Sequence, residues 1–496
     1  MARQREGRLE EACALFERSV VLAPSDPFGW AALVGCLLLA RRPQAAMDAC
    51  EAGLRGLPRA SVLHVARGRV LQSLSRVPEA AAAYRRALAL DASSAEARLG
   101  LALQALEAGD WAAASELAAP LLAPPSPSPQ LDWLGARIAF GRGDLEETLR
   151  RTRRALAAAS LSADQRAETA LLMGEALDSL GRTAEAFRSF SLGKGALHAF
   201  YAERAASRES EVDKLARLAA WFRAADPAPW RVAPAGPAAT PHVCGHAFLV
   251  GFPRSGTTLL EQALAGHPDL VALEEPPTLA DAYDAFLTTP QGLKRLARLT
   301  PDEAGHWRGV YWHVVADRGA AVKGKVFLDK APAGTLYLPL VAKLFPDAKV
   351  LFAVRDPRDV VLSCFRSSFQ INALTYAFTD LAETARCYAG AMDLAAVYRQ
   401  VLPIAPLEVR YEQLIDDFEG ELGRIAAFLG LQPTPGMLDV AATASRRVVR
   451  TPSAQQVRAG LNRQGLGRWR AYADELAPVM RILEPWIERF GYDGAG

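Results

Sequence analysis

The sequence predicts two structural classes in tandem: an all-α solenoid, then an α/β domain with a parallel sheet and a P-loop-like turn. Three observations carry this. Residues 1–225 are rich in Ala and Leu and repeat themselves, the Pro-rich stretch 226–241 breaks that texture, and in 242–496 a short apolar run leads into a glycine-bearing loop. The 496 residues are about three times a typical domain of roughly 150, so more than one core is expected.

The repeat comes first. Arg8–Ala12, Arg42–Ala46, Arg76–Ala80, Asp110–Ala114 and Asp144–Thr148 follow one another at steps of 34 residues, and Arg182–Ala186 comes 38 later. Four residues beyond each small position stand Phe16, Cys50, Tyr84, Ala118, Thr152 and Phe190, the i, i+4 partners that face a neighbouring helix. Pro24 and Pro58 close two of the units. This period and its small residues at helix crossings resemble the tetratricopeptide repeat, about six helix pairs in all. Since one pair cannot bury its apolar face alone, such units stack into a superhelix whose concave groove takes peptides or partner proteins. A rigid spacer or dimerisation element is the alternative. Pro124–Pro129 reads as an exposed loop between repeats and 226–241, with prolines at 227, 229, 234, 237 and 241, as the interdomain linker.

Composition sets the limits. Half the residues are hydrophobic and 23% charged, a globular balance. A net charge of +2 gives no global pull on nucleic acid or an anionic membrane, so any anion site must be local. The longest apolar run, Phe28–Ala40, has 13 residues against the roughly 18 that a spanning helix needs, and no membrane span is expected. Arg3, Arg5, Glu6 and Arg8 at the N-terminus have no apolar stretch behind them, which predicts a cytoplasmic chain. The six cysteines lack a C-x-x-C pair and read as reduced, buried thiols. His242, Cys244 and His246 alternate into a strand, read as packing rather than as metal ligands.

The chemistry lies after the linker. Ala247–Val250 suits a buried parallel strand and leads into Gly251-Phe252-Pro253-Arg254-Ser255-Gly256-Thr257-Thr258. Gly251 and Gly256 keep the spacing of a nucleotide P-loop, but Thr257 stands where a Walker motif has lysine. Backbone N–H groups, the helix dipole, the hydroxyls of Ser255, Thr257 and Thr258, and Arg254 can still hold a phosphate. Without the lysine, a donor with a different terminal group fits better than a nucleoside triphosphate. Ala348–Val354 reads as a second buried strand ending in Arg355-Asp356-Pro357-Arg358-Asp359, with Ser363 about two turns into the following helix. In an open α/β sheet both segments would meet at the strands' carboxyl ends.

Phe248–Glu275 and Val350–Phe365 resemble the two nucleotide signatures of sulfotransferases that use 3′-phosphoadenosine 5′-phosphosulfate, in particular the tetratricopeptide-bearing bacterial group similar to tyrosylprotein sulfotransferases. The resemblance covers about the last 250 residues. It implies a sulfotransferase domain in which Arg254, Ser255, Gly256, Thr257 and Thr258 bind the 5′-phosphosulfate, while Arg355 and Ser363 grip the 3′-phosphate. It implies no metal, because the sulfonate group carries less charge than a phosphoryl. Glu275, 21 residues after Arg254, stands at the family's catalytic base, with Glu274 the adjacent alternative. Lys330, in Val326–Pro332, matches the lysine beside the bridging oxygen, whereas Lys323 and Lys325 read as surface. Arg450–Val457, Asn462 and Gly467–Trp469 resemble a loop over the donor, in which Ser453 assists at the sulfonate and Gly460 replaces a common proline. Arg358, Asp359 and Arg366 read as structural ion-pair partners, and Trp469 as either an adenine platform or core.

The expected activity is therefore sulfonate transfer to a hydroxyl acceptor, a peptide or protein tyrosine held by the repeat groove. Carbohydrate and small phenol remain open as acceptors. Two other classes stay in view: a P-loop kinase or NTPase, which would need a lysine at Thr257 and a Mg²⁺ carboxylate, and a repeat scaffold with an inactive enzyme domain.

Overall fold

In the computed structural model, which describes residues 2–123, 128–232, 234, 241–447, 461, 463 and 465–492, the chain packs into two compact units, Met1–Arg182 and Thr183–Gly496. The first unit is all-helical: ten helices run from Ala2–Leu22 to Ala163–Ser179 among its described residues. Their starts are written locally. Asp26, Asp110, Asp144 and Ser128 cap the helices that follow, each side chain accepting backbone N–H groups, and Ser162 with Gln165 forms a capping box. Pro24 and Pro58 fall between helices, where the ring costs no hydrogen bond.

The repeat's small positions Ala46, Ala80, Ala114 and Thr148 are all fully buried, as are Cys50, Ala118 and Thr152 four residues on. The first copy departs from the pattern. Phe16 is exposed and Cys13 is buried in its place, because helix Ala2–Leu22 has Pro27–Leu39 as its main neighbour and keeps one face open. Of the Pro-rich loop, residues 124–127 lie outside the described residues, while Ser128 caps helix Pro129–Gly141.

The division between units falls inside the sixth copy of the repeat, ahead of the Pro-rich stretch. Helices Thr183–Ala206 and Glu211–Arg223 pack with the second unit: Phe222 meets Tyr398 edge to face, and the Lys194 ammonium donates to the carbonyl of Ser367 at 2.7 Å. Aromatic side chains on the inner faces of these helices bury more area there than small crossing residues would, which explains why the sequence boundary at 225 does not coincide with the packing boundary.

The second unit holds a five-stranded parallel sheet in the order β2-β3-β1-β4-β5: β1 Gly245–Val250, β2 Leu270–Glu274, β3 Val326–Lys330, β4 Lys349–Val354 and β5 Leu407–Arg410. Strand alternation sorts the two faces. Ala247, Leu249, Leu328, Leu351 and Ala353 pack under helices Thr257–Leu264 and Phe418–Leu429. On the other face His246 and Phe248 enter a cluster with Tyr311, Trp312, Phe327 and Phe345. His246 thus packs as expected, its Nε2 against the Tyr311 hydroxyl at 2.8 Å. All six cysteines are free thiols; five are buried, but Cys244 is exposed, at the edge where β1 begins. Among the described residues no helix is long and apolar enough to cross a membrane.

Candidate functional site

Four strands deliver side chains to one place, the carboxyl edge of the sheet, where parallel strands leave room for ligands. After β1 the chain turns through Gly251–Gly256 into helix Thr257–Leu264. Both glycines are required sterically. A Cβ on Gly251 would lie 2.6 Å from the carbonyl oxygen of Ala353. Gly256 has φ 91°, and a Cβ there would run into the Tyr411 ring. Ser255, Thr257 and Thr258 are buried in the loop and the first helical turn.

Arg254 is held in the left-handed region, φ 70°. Its Nε donates to Ser363 Oγ at 2.9 Å, and Arg355 Nη1 donates to its carbonyl at 2.9 Å, so the glycine loop and the turn after β4 form one junction. The two arginines lie at this one junction. Loss of water around Arg254, with repulsion from Arg355 and Arg366, draws its guanidinium down to about 10, still protonated at neutral pH.

Arg355 is clamped as well as buried. Nη2 donates to the Gly465 carbonyl, Asp359 stands 3.9 Å away, and the guanidinium lies over the Tyr411 ring at 4.6 Å. Its Nε is buried with no hydrogen-bond partner among the described residues, an unmet cationic donor at the junction. An anion such as a phosphate satisfies that group and fits the surrounding hydroxyls.

Arg358 is structural, although its partner is Asp356 rather than Asp359: Nε and Nη2 reach the carboxylate at 2.9 and 2.7 Å. Asp359 instead accepts the backbone N–H groups of Gly467 and Trp469, both at 2.8 Å. Trp469 stacks under Arg358 at 3.8 Å, which occupies one face of its ring. Ser453 lies outside the described residues, as do the rest of Arg450–Val457, Gly460 and Asn462.

The other half of the site stands at the ends of β2 and β3. Glu275 donates its N–H to the Lys330 carbonyl at 2.8 Å, closing the β2–β3 ladder, and there φ swings to 49°. A glutamate in this region costs of order 1–3 kcal/mol, and Arg254 bears the same strain. The swing turns Glu275 out of the strand's alternation, so that both consecutive carboxylates face one ammonium. Lys330 Nζ lies 2.9 Å from Glu275 Oε1 and 3.4 Å from Glu274 Oε1. Lys330 is fully buried, whereas the Glu275 side chain is 49% exposed and that of Glu274 15%. Burial would strip the lysine of its proton, but the carboxylates around it outweigh that and hold its pKa above the usual value. Glu275 is thus the solvent-facing carboxylate of the group, backed by a buried cation.

The sequence model of the sulfotransferase family matches residues 247–435. Residues 247–435 form a domain of the sulfotransferase family. Curated relatives agree. A putative protein-tyrosine sulfotransferase of Caenorhabditis briggsae is 26% identical over 259 residues, 50% of this chain and 88% of the relative. Protein-tyrosine sulfotransferase 1 of Danio rerio is 27% identical over 267 residues, 50% of this chain and 72% of the relative. An uncharacterized protein of Aquifex aeolicus is 27% identical over 251 residues, 49% of this chain but 32% of its own length, so the match spans about a third of that relative. The sulfotransferase domain thus carries the glycine loop, Glu275, Lys330, Arg355 and Ser363, preceded by a helical repeat unit.

Sequence reasoning gave no role to Glu261, Thr278, Asp329, Tyr411 or Arg447. Thr278 Oγ1 and the Tyr311 hydroxyl both donate to Asp329 Oδ2, at 2.7 and 2.9 Å, tying the loop after Glu275 to the strand that carries Lys330. Burial raises Asp329 to about 6, against the pull of those two donors. Asp329 sits one residue before Lys330 in a motif, and that adjacency was the available signal.

Proposed function

We propose that this chain transfers a sulfonate group from 3′-phosphoadenosine 5′-phosphosulfate to a hydroxyl acceptor, with a peptide or protein tyrosine as the acceptor. The observation that carries the reading is the convergence of Glu275 and Lys330, 2.9 Å apart, beside a glycine loop whose Walker lysine is replaced by Thr257. A base next to a buried cation serves a displacement in which a proton leaves the nucleophile while charge develops on the leaving group.

In this reading Arg254, Ser255, Gly256, Thr257 and Thr258 hold the 5′-phosphosulfate. Arg355 and Ser363 take the 3′-phosphate, for which the unmet Arg355 Nε is the fitting donor. Glu275 removes the acceptor's proton as its oxygen bonds to sulfur. The bond from sulfur to the bridging phosphate oxygen breaks, its electron pair stays with the departing 3′,5′-diphosphoadenosine, and Lys330 stabilises that oxygen. A phenol, of pKa about 10, needs such a base to react at neutral pH. Ser453 assists at the sulfonate, no metal takes part, and residues 242–496 form the working domain. The helical repeats, through their groove, deliver the acceptor.

Incubation with ³⁵S-labelled donor and a panel of tyrosine peptides, polysaccharides and small phenols tests this. Label on tyrosine supports the reading. Label on glycans alone overturns the acceptor while leaving the donor, and no label on any hydroxyl, with the donor bound, leaves the scaffold reading in its place.

A further inference from the structure

We propose that Glu261 is the fixed counter-ion of Lys330, a positioning residue that keeps the ammonium charged and aimed while Glu275 carries the acceptor's proton. Its role in the reaction rests on the sulfonate-transfer reading; the pairing itself does not.

Glu261 stands one helical turn beyond Thr257 in a helix whose every residue is buried, and its side chain is 0% exposed. A carboxylate in such a place is costly unless cations compensate it. Two do: Lys330 Nζ is 3.6 Å from Oε2, and Arg447 Nη1 is 3.3 Å from Oε1. Neither oxygen accepts a hydrogen bond among the described residues, and the two ion pairs are what compensates the carboxylate there. Arg447 is itself fixed by donating to the Ala272 carbonyl at 2.7 Å.

The charged groups facing Lys330 are Glu261 from the loop-following helix, Glu274 and Glu275 from the end of β2, and Asp329 beside it in β3; Arg447 faces Glu261 from the far side. Of the three paired carboxylates Glu261 is the farthest, yet it raises the lysine's proton affinity together with Glu275 and Glu274, because no water screens it. Glu275 loses its charge when it acts as base, and Glu274 is partly solvated. Burial pushes the Glu261 carboxyl above its usual range against the pull of Lys330 and Arg447, and of the three it alone is sealed from solvent and from the acceptor, so it exchanges no proton with either during turnover.

The test compares wild type with Glu261→Gln, which keeps shape and removes charge. In steady-state assays with labelled donor, kcat falls about 10- to 100-fold, the acceptor KM stays within about threefold, and the alkaline limb of kcat moves to lower pH. An active wild type with an unchanged kcat and alkaline limb in the variant overturns the inference and leaves the donor reading standing. Should Glu261→Gln not fold, Glu261→Asp is read the same way, with a smaller shift in the same direction; no shift overturns the inference. If the wild type binds no 3′,5′-diphosphoadenosine, the donor reading fails. The pairing is then decided on the free protein by NMR titration of ¹³Cε-labelled lysines, with Lys330 assigned from Lys330→Arg. Lys330 titrating at lower pH in the variant supports the pairing, and an unmoved titration overturns it.

Discussion

Glu274→Gln and Glu275→Gln pose the sharpest question about this site, because two adjacent carboxylates touch one ammonium and the account makes only one of them the base. Each change removes one negative charge beside Lys330 and keeps the side-chain shape. For Glu274, 3.4 Å from the ammonium and 15% exposed, the loss is one ion-pair partner among three. A partly screened pair of this kind contributes about 0.2–1 kcal/mol, or up to about a fivefold change in kcat. Glu275, 2.9 Å from Lys330 and half open to solvent, loses in addition its capacity to take the acceptor's proton. A positioned base contributes about 10²–10⁴ in rate, or about 2.7–5.5 kcal/mol. Single-turnover transfer of ³⁵S, with both variants saturated in donor, measures the chemical step apart from binding. Glu275→Gln is expected to be at least tenfold slower than Glu274→Gln, with equal affinity for 3′,5′-diphosphoadenosine. The reverse order refutes the assignment, and equal effects refute any distinct role for Glu275.

Three further outcomes follow from the same geometry. Lys330→Met is expected to lower kcat about 10²–10³-fold by removing the cation at the leaving oxygen, measured in the same single-turnover assay. Gly256→Ala forces a Cβ into the Tyr411 ring at φ 91° and is expected to weaken 3′,5′-diphosphoadenosine binding more than about tenfold and to lower the melting temperature, read by calorimetry and circular dichroism. Burial depresses His246 to about 3 from the usual 6.5, so below pH 6.5 the unfolded chain takes up a proton that the folded one refuses. Its contribution to stability is full above pH 6.5 and falls as pH drops toward 3, at most about 1.4 kcal/mol per pH unit. His246→Phe is expected to flatten the fall in melting temperature between pH 6.5 and 4.5, and an unchanged slope counts against a neutral His246 within the aromatic cluster.

The fold was legible where a local signal repeats or punctuates. The 34-residue period marked the helical repeats, and Ala247–Val250 and Ala348–Val354 became β1 and β4 within a residue or two, while β3 lies inside the Val326–Pro332 segment that family resemblance singled out. The packing boundary was not legible, because Thr183–Ala206 carries the repeat's small residue at Ala186 and also the aromatic and charged residues that join it to the second unit. Within the site, motif spacing picked out side chains that do converge: Arg254 with Ser363 and Arg355, and Glu275 with Lys330. Hidden from it were the features that depend on three dimensions. The left-handed turns at Arg254 and Glu275 come from loop closure rather than from residue type. Glu261 looks like an ordinary polar residue in an amphipathic helix until the packing of every residue around it removes its solvent.

The central claim is a junction built for a nucleotide with two separate phosphate-bearing ends, and calorimetric titration of wild type and Arg355→Ala with 3′,5′-diphosphoadenosine and with ATP, both without Mg²⁺, tests it most directly. One tight site for the diphosphate is expected in wild type, with weaker binding of ATP and a loss of at least tenfold for the diphosphate in Arg355→Ala. Tight ATP binding with no response to the diphosphate, or diphosphate binding that Arg355→Ala leaves unchanged, contradicts it.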